Sequence, residues 1–494
     1  MAERLTSREV VALVSGDFTP LPHPASPAPP PPEGPIGWAG YDAARARAAA
    51  RTGEEESVLY GRATIGGRPV VLVAFEFGFL GGSLGQAAGD RLVAAYRTAL
   101  ADRTPLVSLV ATGGSRMQEG MIALAQLQRV AEATVRLREG GVPHVTVLRD
   151  PSTGGGWATV GAGADVVLAL PAAQVAFAGS RVRPRDADPA AYTAESQWEH
   201  GHVDALVAPE ELRTTLSLWL GLLTAGEPRD ESGAEPGEPS GPEPGDRSGT
   251  PLGAPAGGTV GAPAVGLPDG THRSASTPAP PPRALTEAAP PGSGWEAVVR
   301  ARSADRPRAG AYLDAYFTAR AALRGDRAGG VDPGVECGFG LHEGRPVAYA
   351  AQDGSATRPA GFRTVARLIR LADRLGIPVL TLIDTPGAAN DAGAERAGAG
   401  PAIADAFTAV AEARVPVTSL LVGEGGSGGA LALAAPGNTW ATPDSYFSVI
   451  APELASAILK RPEDQAPATA DQLRLRPQDL VELGIVRGIV TRGG

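Results

Sequence analysis

Cysteine and lysine are almost missing from this chain: Cys337 and Lys460 stand alone among 494 residues. A single cysteine excludes an intrachain disulfide framework and any site built from several thiolates, and it fits a reducing, cytoplasmic setting. A single lysine, in Leu459-Lys460-Arg461, leaves no Gly-x-x-x-x-Gly-Lys-Ser/Thr phosphate loop, and no other ATP motif is present. Aromatic residues make up only 5%, and no unbroken apolar run approaches about 18 residues, so no membrane span is expected. The start, Met1-Ala2-Glu3-Arg4-Leu5-Thr6, lacks a cationic segment followed by an apolar block, so no secretory signal is expected. Positive charge is nearly all arginine, without a basic stripe, and the formal net charge is −10. No nucleic-acid partner is expected.

Glycine (65) and proline (46) are plentiful, so a glycine pair means little without its context. Composition divides the chain into four parts. Residues 1–36 form an N-terminal segment, partly disordered, with a helix expected near 8–14 and a proline-rich stretch at 22–35. Residues 37–224 and 294–494 are two globular blocks. Residues 225–293 are rich in Pro, Gly, Glu and Ser with few large apolar groups, and read as a disordered linker that cannot offset its ordering entropy.

The two blocks repeat one pattern. Val142-Pro143 opens an apolar strand that runs to Asp150-Pro151 and then Gly154-Gly155-Gly156. Val415-Pro416 opens another that ends in Gly423-Glu424-Gly425-Gly426-Ser427-Gly428-Gly429. Gly-Arg-Pro-Val precedes each, at 67–70 and 344–347, and a further strand follows each, at 174–179 and 445–450. Strands are also expected at 105–112 and 377–384, and helices after Ser115 (with Gln118 completing a capping box), at 362–375 and at 403–413. Alternating strands and helices predict an α/β fold, duplicated within the chain. Strand ends that open through glycine into helices leave backbone amides free to hold a phosphate or a transient oxyanion. One such turn is more often plain packing; three, at Gly113-Gly114, Gly154-Gly155 and Gly428-Gly429, point to a site.

Other chemistries lack parts. Gly425-Gly426-Ser427-Gly428-Gly429 fits a nucleophile elbow, yet no histidine follows His342. Gly81-Gly82-Ser83-Leu84-Gly85 has later histidines but no clear acid partner. His200-x-His202, between Glu199 and Asp204, suits a polar turn better than a metal site. No side-chain base stands out.

Longer motifs carry a resemblance. The first block contains Phe75-Glu76-Phe77, Gly81-Gly82-Ser83-Leu84-Gly85, Gly113-Gly114-Ser115-Arg116-Met117-Gln118-Glu119 and Phe177-Ala178-Gly179. The second contains Gly325-Asp326-Arg327, Ile383-Asp384-Thr385-Pro386-Gly387-Ala388, the glycine turn at 423–430, and Tyr446-Phe447-Ser448-Val449-Ile450 before Pro452-Glu453. These resemble the beta and alpha subunits of bacterial acetyl-CoA carboxylase carboxyltransferase, fused in that order. The resemblance implies two crotonase-like (ClpP/crotonase) superhelical β-β-α domains. It also implies transfer of carboxylate from carboxybiotin to the α-carbon of acetyl-CoA, giving malonyl-CoA for fatty acid or polyketide synthesis. No Met-Lys-Met biotinylation site exists, so biotin is expected on a separate carrier protein, with a separate biotin carboxylase and a homodimer of this chain. In the family biotin becomes the base, which accounts for the absence of a side-chain base. Gly154 and Gly155 would then serve the thioester oxyanion and Gly428 and Gly429 the biotin side. Gly113, Gly114, Arg116, Gly387 and Ala388 would contact substrate, with Arg116 orienting its loop.

Three departures stand out. The four-cysteine ribbon of many beta subunits is missing, so no zinc is expected. The family's Tyr-Pro after Asp-Thr-Pro-Gly-Ala is Ala389-Asn390, which removes bulk and would admit propionyl-CoA or a longer acyl group. The following Gly-Ala-Glu-Glu-Arg-Gly-Gln-Ser has become Gly393-Ala394-Glu395-Arg396-Ala397-Gly398-Ala399-Gly400. Rival readings are a biotin-independent crotonase-type hydratase or isomerase using Asp150 or Glu119, and an inactive carrier-binding scaffold.

Overall fold

A computed structural model describes residues 4–24, 31–224 and 276–492. Most of the expected linker, 225–275, lies outside the described residues, as do parts of the N-terminal segment. Each half is built on an eight-stranded sheet. In the first, β1 (Val58–Ile65) and β2 (Arg68–Phe75) form a hairpin, and β3 (Leu106–Thr112), β4 (His144–Thr153) and β5 (Val166–Ala169) add in parallel. The short β6 (Val175–Ala176) pairs with the far end of β4. The second sheet repeats this with β7 (Val335–His342), β8 (Arg345–Gln352), β9 (Val379–Thr385), β10 (Val417–Gly426), β11 (Thr439–Ala441) and β12 (Tyr446–Ser448).

The repeat holds residue by residue. Thr112 pairs with Ser152 as Thr385 pairs with Gly425, and the isolated parallel bridges Leu84–Ser115 and Thr357–Ala388 occupy matching places. These equivalences keep one constant offset along the chain, so Ser115 matches Ala388 and Gly154 matches Ser427. The Gly-Arg-Pro-Val signatures mark the two hairpins. Gly66-Gly67 and Glu343-Gly344 all have positive φ, as a tight two-residue hairpin turn needs.

Helices α1 (Gln86–Asp102) and α2 (Gly120–Glu139) cover the first sheet, and α3 (Pro359–Leu375) and α4 (Ala399–Glu412) cover the second. Their apolar faces meet in one core across the halves: Leu124 and Leu127 of α2 join Ile403 and Phe407 of α4. A capping box at Ser115 does not form. Ser115 instead bridges to Leu84, the Arg116 N–H donates to the Leu84 carbonyl, and α2 begins only at Gly120. Strand-like pairing of the loop outweighed the local helix signal.

Residues 276–293, expected in the disordered linker, instead pack along the second half. Ala279 and Ala284 are buried with Tyr312 and Leu313, and the Ala279 carbonyl accepts the Thr418 hydroxyl at 2.8 Å. Small apolar side chains and carbonyl acceptors suffice for docking where large apolar groups are missing. The N-terminal helix forms at Ser7–Val14, close to the expected span.

The seam between halves is tight. A Cβ at Gly400, in the first turn of α4, would lie 2.1 Å from Nε1 of Trp157, which is fully buried in the first half. Gly400→Ala is therefore expected to destabilise the chain by about 1–3 kcal/mol. Chemical denaturation checks it; an unchanged unfolding midpoint would mean that the indole can move aside.

Candidate active site

Each half brings two loops together at the ends of its parallel strands. In the first, the loop after β3 meets the turn after β4: a Cβ at Gly154 would lie 3.0 Å from Gly114 Cα. In the second, a Cβ at Gly429 would lie 2.3 Å from the Ala388 nitrogen. Only glycine permits these approaches. Gly154 has φ +66° and its counterpart Ser427 has φ +51°. A left-handed L-residue at that corner costs roughly 1–2 kcal/mol, so the chain tolerates strain to make the turn.

The amide count sorts the expected residues. Gly113 N–H donates to the Gly81 carbonyl at 2.9 Å, and Gly114 N–H to the Thr112 hydroxyl at 3.0 Å. Gly387 N–H likewise donates to the Thr385 hydroxyl at 3.1 Å. Gly154 N–H is shared between the Ala176 and Phe177 carbonyls, at 3.2 and 3.1 Å. These four glycines shape the loops but have no amide to offer. Gly155 and Gly156 open a short helix that passes into a π-helical turn, Trp157–Gly161, and Gly428 and Gly429 lie in the first turn of α5 (Ser427–Leu431). First-turn amides have no partner within their helix. Ser115 and Ala388 N–H groups likewise donate to no acceptor among the described residues. The equivalent sets are therefore Ser115 with Gly155-Gly156, and Ala388 with Gly428-Gly429. Ser115 and Gly156 were missed from sequence; superimposing the repeat on Ala388 and Gly429 would have found them.

The two sets face one seam. Leu127 lies between them: its Cδ1 would be 2.6 Å from a Cβ at Gly155 and 3.8 Å from one at Gly428. The Phe177 ring would be 3.5 Å from that same Gly428 Cβ.

Arg116 does not reach outward to a substrate. It is buried, and its guanidinium binds Glu56, Glu119, the Tyr41 hydroxyl and the Ser57 hydroxyl. Burial opposes these charges, but the pairing outweighs it, holding Arg116 above its ordinary range and Glu56 below the usual carboxylate range. Arg116 thus positions the loop. In the second half Asp384, fully buried, takes that part through Arg306, at 2.6 and 2.7 Å.

The candidate acids and bases are spoken for. Glu119 also accepts from the Gln86 amide at 2.5 Å, and Asp150 pairs with Arg4 at 3.0 Å and accepts from the Gln174 amide. Both are held by their partners, which argues against their use as the acid pair a hydratase needs. Ser83 bonds Arg116, not a histidine. His144 bonds Ser108 at 2.9 Å deep in the sheet, where burial pushes its pKa down to about 3. His202 contacts the Arg396 carbonyl across the halves at 3.1 Å, and His200 the Ser196 carbonyl at 2.8 Å at the end of its own helix. Among the described residues no group of three or more His, Cys, Asp or Glu could hold a metal, and no helix is long and apolar enough to cross a membrane. Beside the Gly81–Gly113 contact, Arg51, Phe77, Leu80, Gln118 and Arg181 line a cleft of about 480 Å³.

Residues 38–203 match the carboxyl transferase domain family, and residues 291–493 match the acetyl co-enzyme A carboxylase carboxyltransferase-like family. The acetyl-coenzyme A carboxylase carboxyl transferase subunits beta/alpha of Salinispora arenicola are 38% identical over 455 residues, covering 89% of this chain and 74% of theirs. The chain belongs to the acetyl-CoA carboxylase carboxyltransferase family. A probable biotin-dependent acyl-coenzyme A carboxylase beta3 subunit from Mycobacterium bovis is 33% identical over 460 residues, covering 90% and 82%. Among solved structures, transcarboxylase 12S is 18% identical with a TM-score of 0.37, covering 99% of this chain and 87% of that one.

Within this carboxyltransferase, the divergent loop at 389–400 docks on the first half. Ala389 is buried and donates its N–H to the Thr357 carbonyl at 2.8 Å. Asn390 Nδ2 donates to the Val182 carbonyl at 2.8 Å, and its own carbonyl accepts the Tyr192 hydroxyl at 2.9 Å. Glu395, with no exposed surface, accepts the Phe177 and Ala178 amides at 3.0 and 2.7 Å. Gly400, where the family has a side chain, is the residue that Trp157 requires.

Burial raises Glu395 to about 7, against its two amide donors and Arg183. A raised folded pKa means that the native state keeps a proton the unfolded chain releases. The associated stability is present below the unfolded value of 4.5 and is lost as pH rises towards 7. Subtracting Glu395→Gln from the unaltered protein should isolate a fall of about 3 kcal/mol across that window. Urea unfolding from pH 5 to 8 checks it; parallel curves for the two proteins would count against it.

Proposed function

We propose that this chain transfers carboxylate to the α-carbon of an acyl-CoA, converting acetyl-CoA to malonyl-CoA, and that its two amide sets are the catalytic elements. The observation that carries this reading is the meeting of two equivalent sets of unpartnered amides at one seam, with every nearby acid or base already engaged. Carrier-bound carboxybiotin would supply the carboxyl group and then the base that takes the α-proton. The chain's own work is electrostatic. Ser115 and Gly155 N–H groups hold the thioester oxygen as it gains charge on loss of the α-proton, and Ala388 and Gly428 N–H groups hold a ureido carbonyl oxygen on the opposite side. Fixed donors aimed where charge develops, in a site closed by Leu127 and Phe177, need no reorganisation during reaction.

Arg51 and Arg181 flank the cleft beside Gly81 and suit the phosphates of CoA, while Phe77 and Leu80 give it an apolar wall. This supports a reading with acyl-CoA at the first half and the carrier's biotin at the second. Ala389 follows Ala388 directly, and its small side chain suits tolerance of propionyl-CoA. Globular blocks at 37–224 and 294–494, a tether between them, a cytoplasmic homodimer and a separate biotin carboxylase complete the reading.

The reverse direction tests it without partners. Purified protein given malonyl-CoA and biocytin should form acetyl-CoA only when biocytin is present. Gly428→Val, whose branched side chain crowds the Phe177 ring and displaces a ligand from the amide, should lower that rate about 10²-fold while the chain stays folded. Biocytin-independent turnover would indicate different thioester chemistry. No turnover with malonyl-CoA or methylmalonyl-CoA from folded protein would favour a carrier-binding scaffold.

A further inference from the structure

The two turns are held in place differently. In the second half, β12 is secured by its own half, the Phe447 N–H donating to the Leu475 carbonyl at 3.2 Å. In the first half, β6 likewise pairs with β4 of its own half, but the two residues that follow it, Phe177 and Ala178, are held from across the seam. Glu395 Oε2 accepts the Phe177 N–H at 3.0 Å, and its Oε1 accepts the Ala178 N–H at 2.7 Å. The carbonyls of Ala176 and Phe177 in turn accept the Gly154 N–H. One carboxylate thus grips, through two peptide units, the corner that aims the Gly155 amide.

Glu395 itself is fixed to the other site. Its short helix, Ala392–Arg396, is capped by Asp391, whose Oδ1 accepts the Ala394 N–H at 3.0 Å. That helix follows Gly387-Ala388 by four residues. Asn390, bonded to Val182, and Arg396, paired with Asp188, pin the same loop to the first half on either side of Glu395. A continuous path of hydrogen bonds and short backbone therefore runs from the Ala388 amide to the Gly155 amide.

We propose that Glu395 is a positioning residue that sets the thioester-side turn from the biotin-side loop, so that the first amide set is in register only when the second half is docked. The kinetic part of this inference rests on the function proposed above; the structural part does not. Two converging N–H donors need two acceptor oxygens, which a carboxylate supplies. A glutamine offers one acceptor and turns a donor towards the other N–H. Alanine offers neither and leaves two buried amides unpaired.

Backbone hydrogen exchange and steady-state kinetics at pH 8, where the Glu395 carboxyl is ionised, on the full chain, unaltered and carrying Glu395→Ala or Glu395→Gln, test the proposal together. Glu395→Ala should speed exchange about tenfold or more at residues 154–156 and 177–178 while leaving 426–429 within about twofold. It should lower kcat for biocytin-dependent malonyl-CoA decarboxylation at least about tenfold, with KM for biocytin changed less than about threefold. Glu395→Gln should fall between the two. Exchange that rises evenly over the chain, or not at all at 154–156, overturns the proposal, as does a proportional loss of kcat and biocytin affinity. If the local exchange changes as expected but the unaltered protein has no biocytin-dependent turnover, the coupling stands and the proposed function falls.

Discussion

A helix that starts at the end of a β-strand cannot satisfy its own first N–H groups, and most of this site follows from that fact. Duplication places two such starts in one chain, after β4 and after β10. Each is joined by one more amide from the neighbouring loop, Ser115 or Ala388. Glycine is needed where the loops touch, because a Cβ at Gly154 or Gly429 would enter the facing backbone. The amides stay free because sequence-adjacent acceptors are already used: the threonines at 112 and 385 take the amides of Gly114 and Gly387. The matching threonines divide each loop into one amide that locks the turn and one left without an acceptor among the described residues.

Holding these loops still requires buried charge, and the halves solve this with different residues. Arg116 follows its glycines and reaches back to Glu56, whereas Asp384 precedes its glycine and is reached by Arg306. Removing one partner from such a pair leaves an uncompensated charge in the core, which is more costly than the pair's net contribution. The pairs therefore act as constraints on loop geometry more than as sources of stability. Among the described residues Glu56, Glu119 and Asp384 are committed in this way, and Glu395 is taken up by two backbone amides.

The seam decides whether two half-sites become one site. Helices α2 and α4 share a core, Trp157 fills the space above Gly400, and the divergent loop at 389–400 bonds to residues 177–192 of the first half. The loop's departures from its family are matched by contacts with this chain's own first half. Gly400 answers to Trp157, and Asn390 to Val182 and Tyr192. A change on one side of the seam is thus read on the other.

Strand periodicity, glycine turns after strands and the repeat itself were all legible in the sequence, because each is a local consequence of residue type and spacing. So were the helices Pro359–Leu375 and Ala399–Glu412 and the strand Val379–Thr385, to within a few residues. Family motifs added the reaction and the pairing of the turns. The sequence by itself determined a duplicated α/β chain with glycine turns at its strand ends. It could not tell which amides were free: Gly154 and Gly155 are alike in composition, yet one is consumed by Ala176 and Phe177 and the other is not. It also misread Ser115 as a helix cap and 276–293 as linker, since pairing with Leu84 and docking against Tyr312 depend on partners distant in the chain. Tertiary structure decided these points, and the place of Glu395 too, because a hydrogen-bond donor has one proton to give and only the folded neighbourhood determines where it goes.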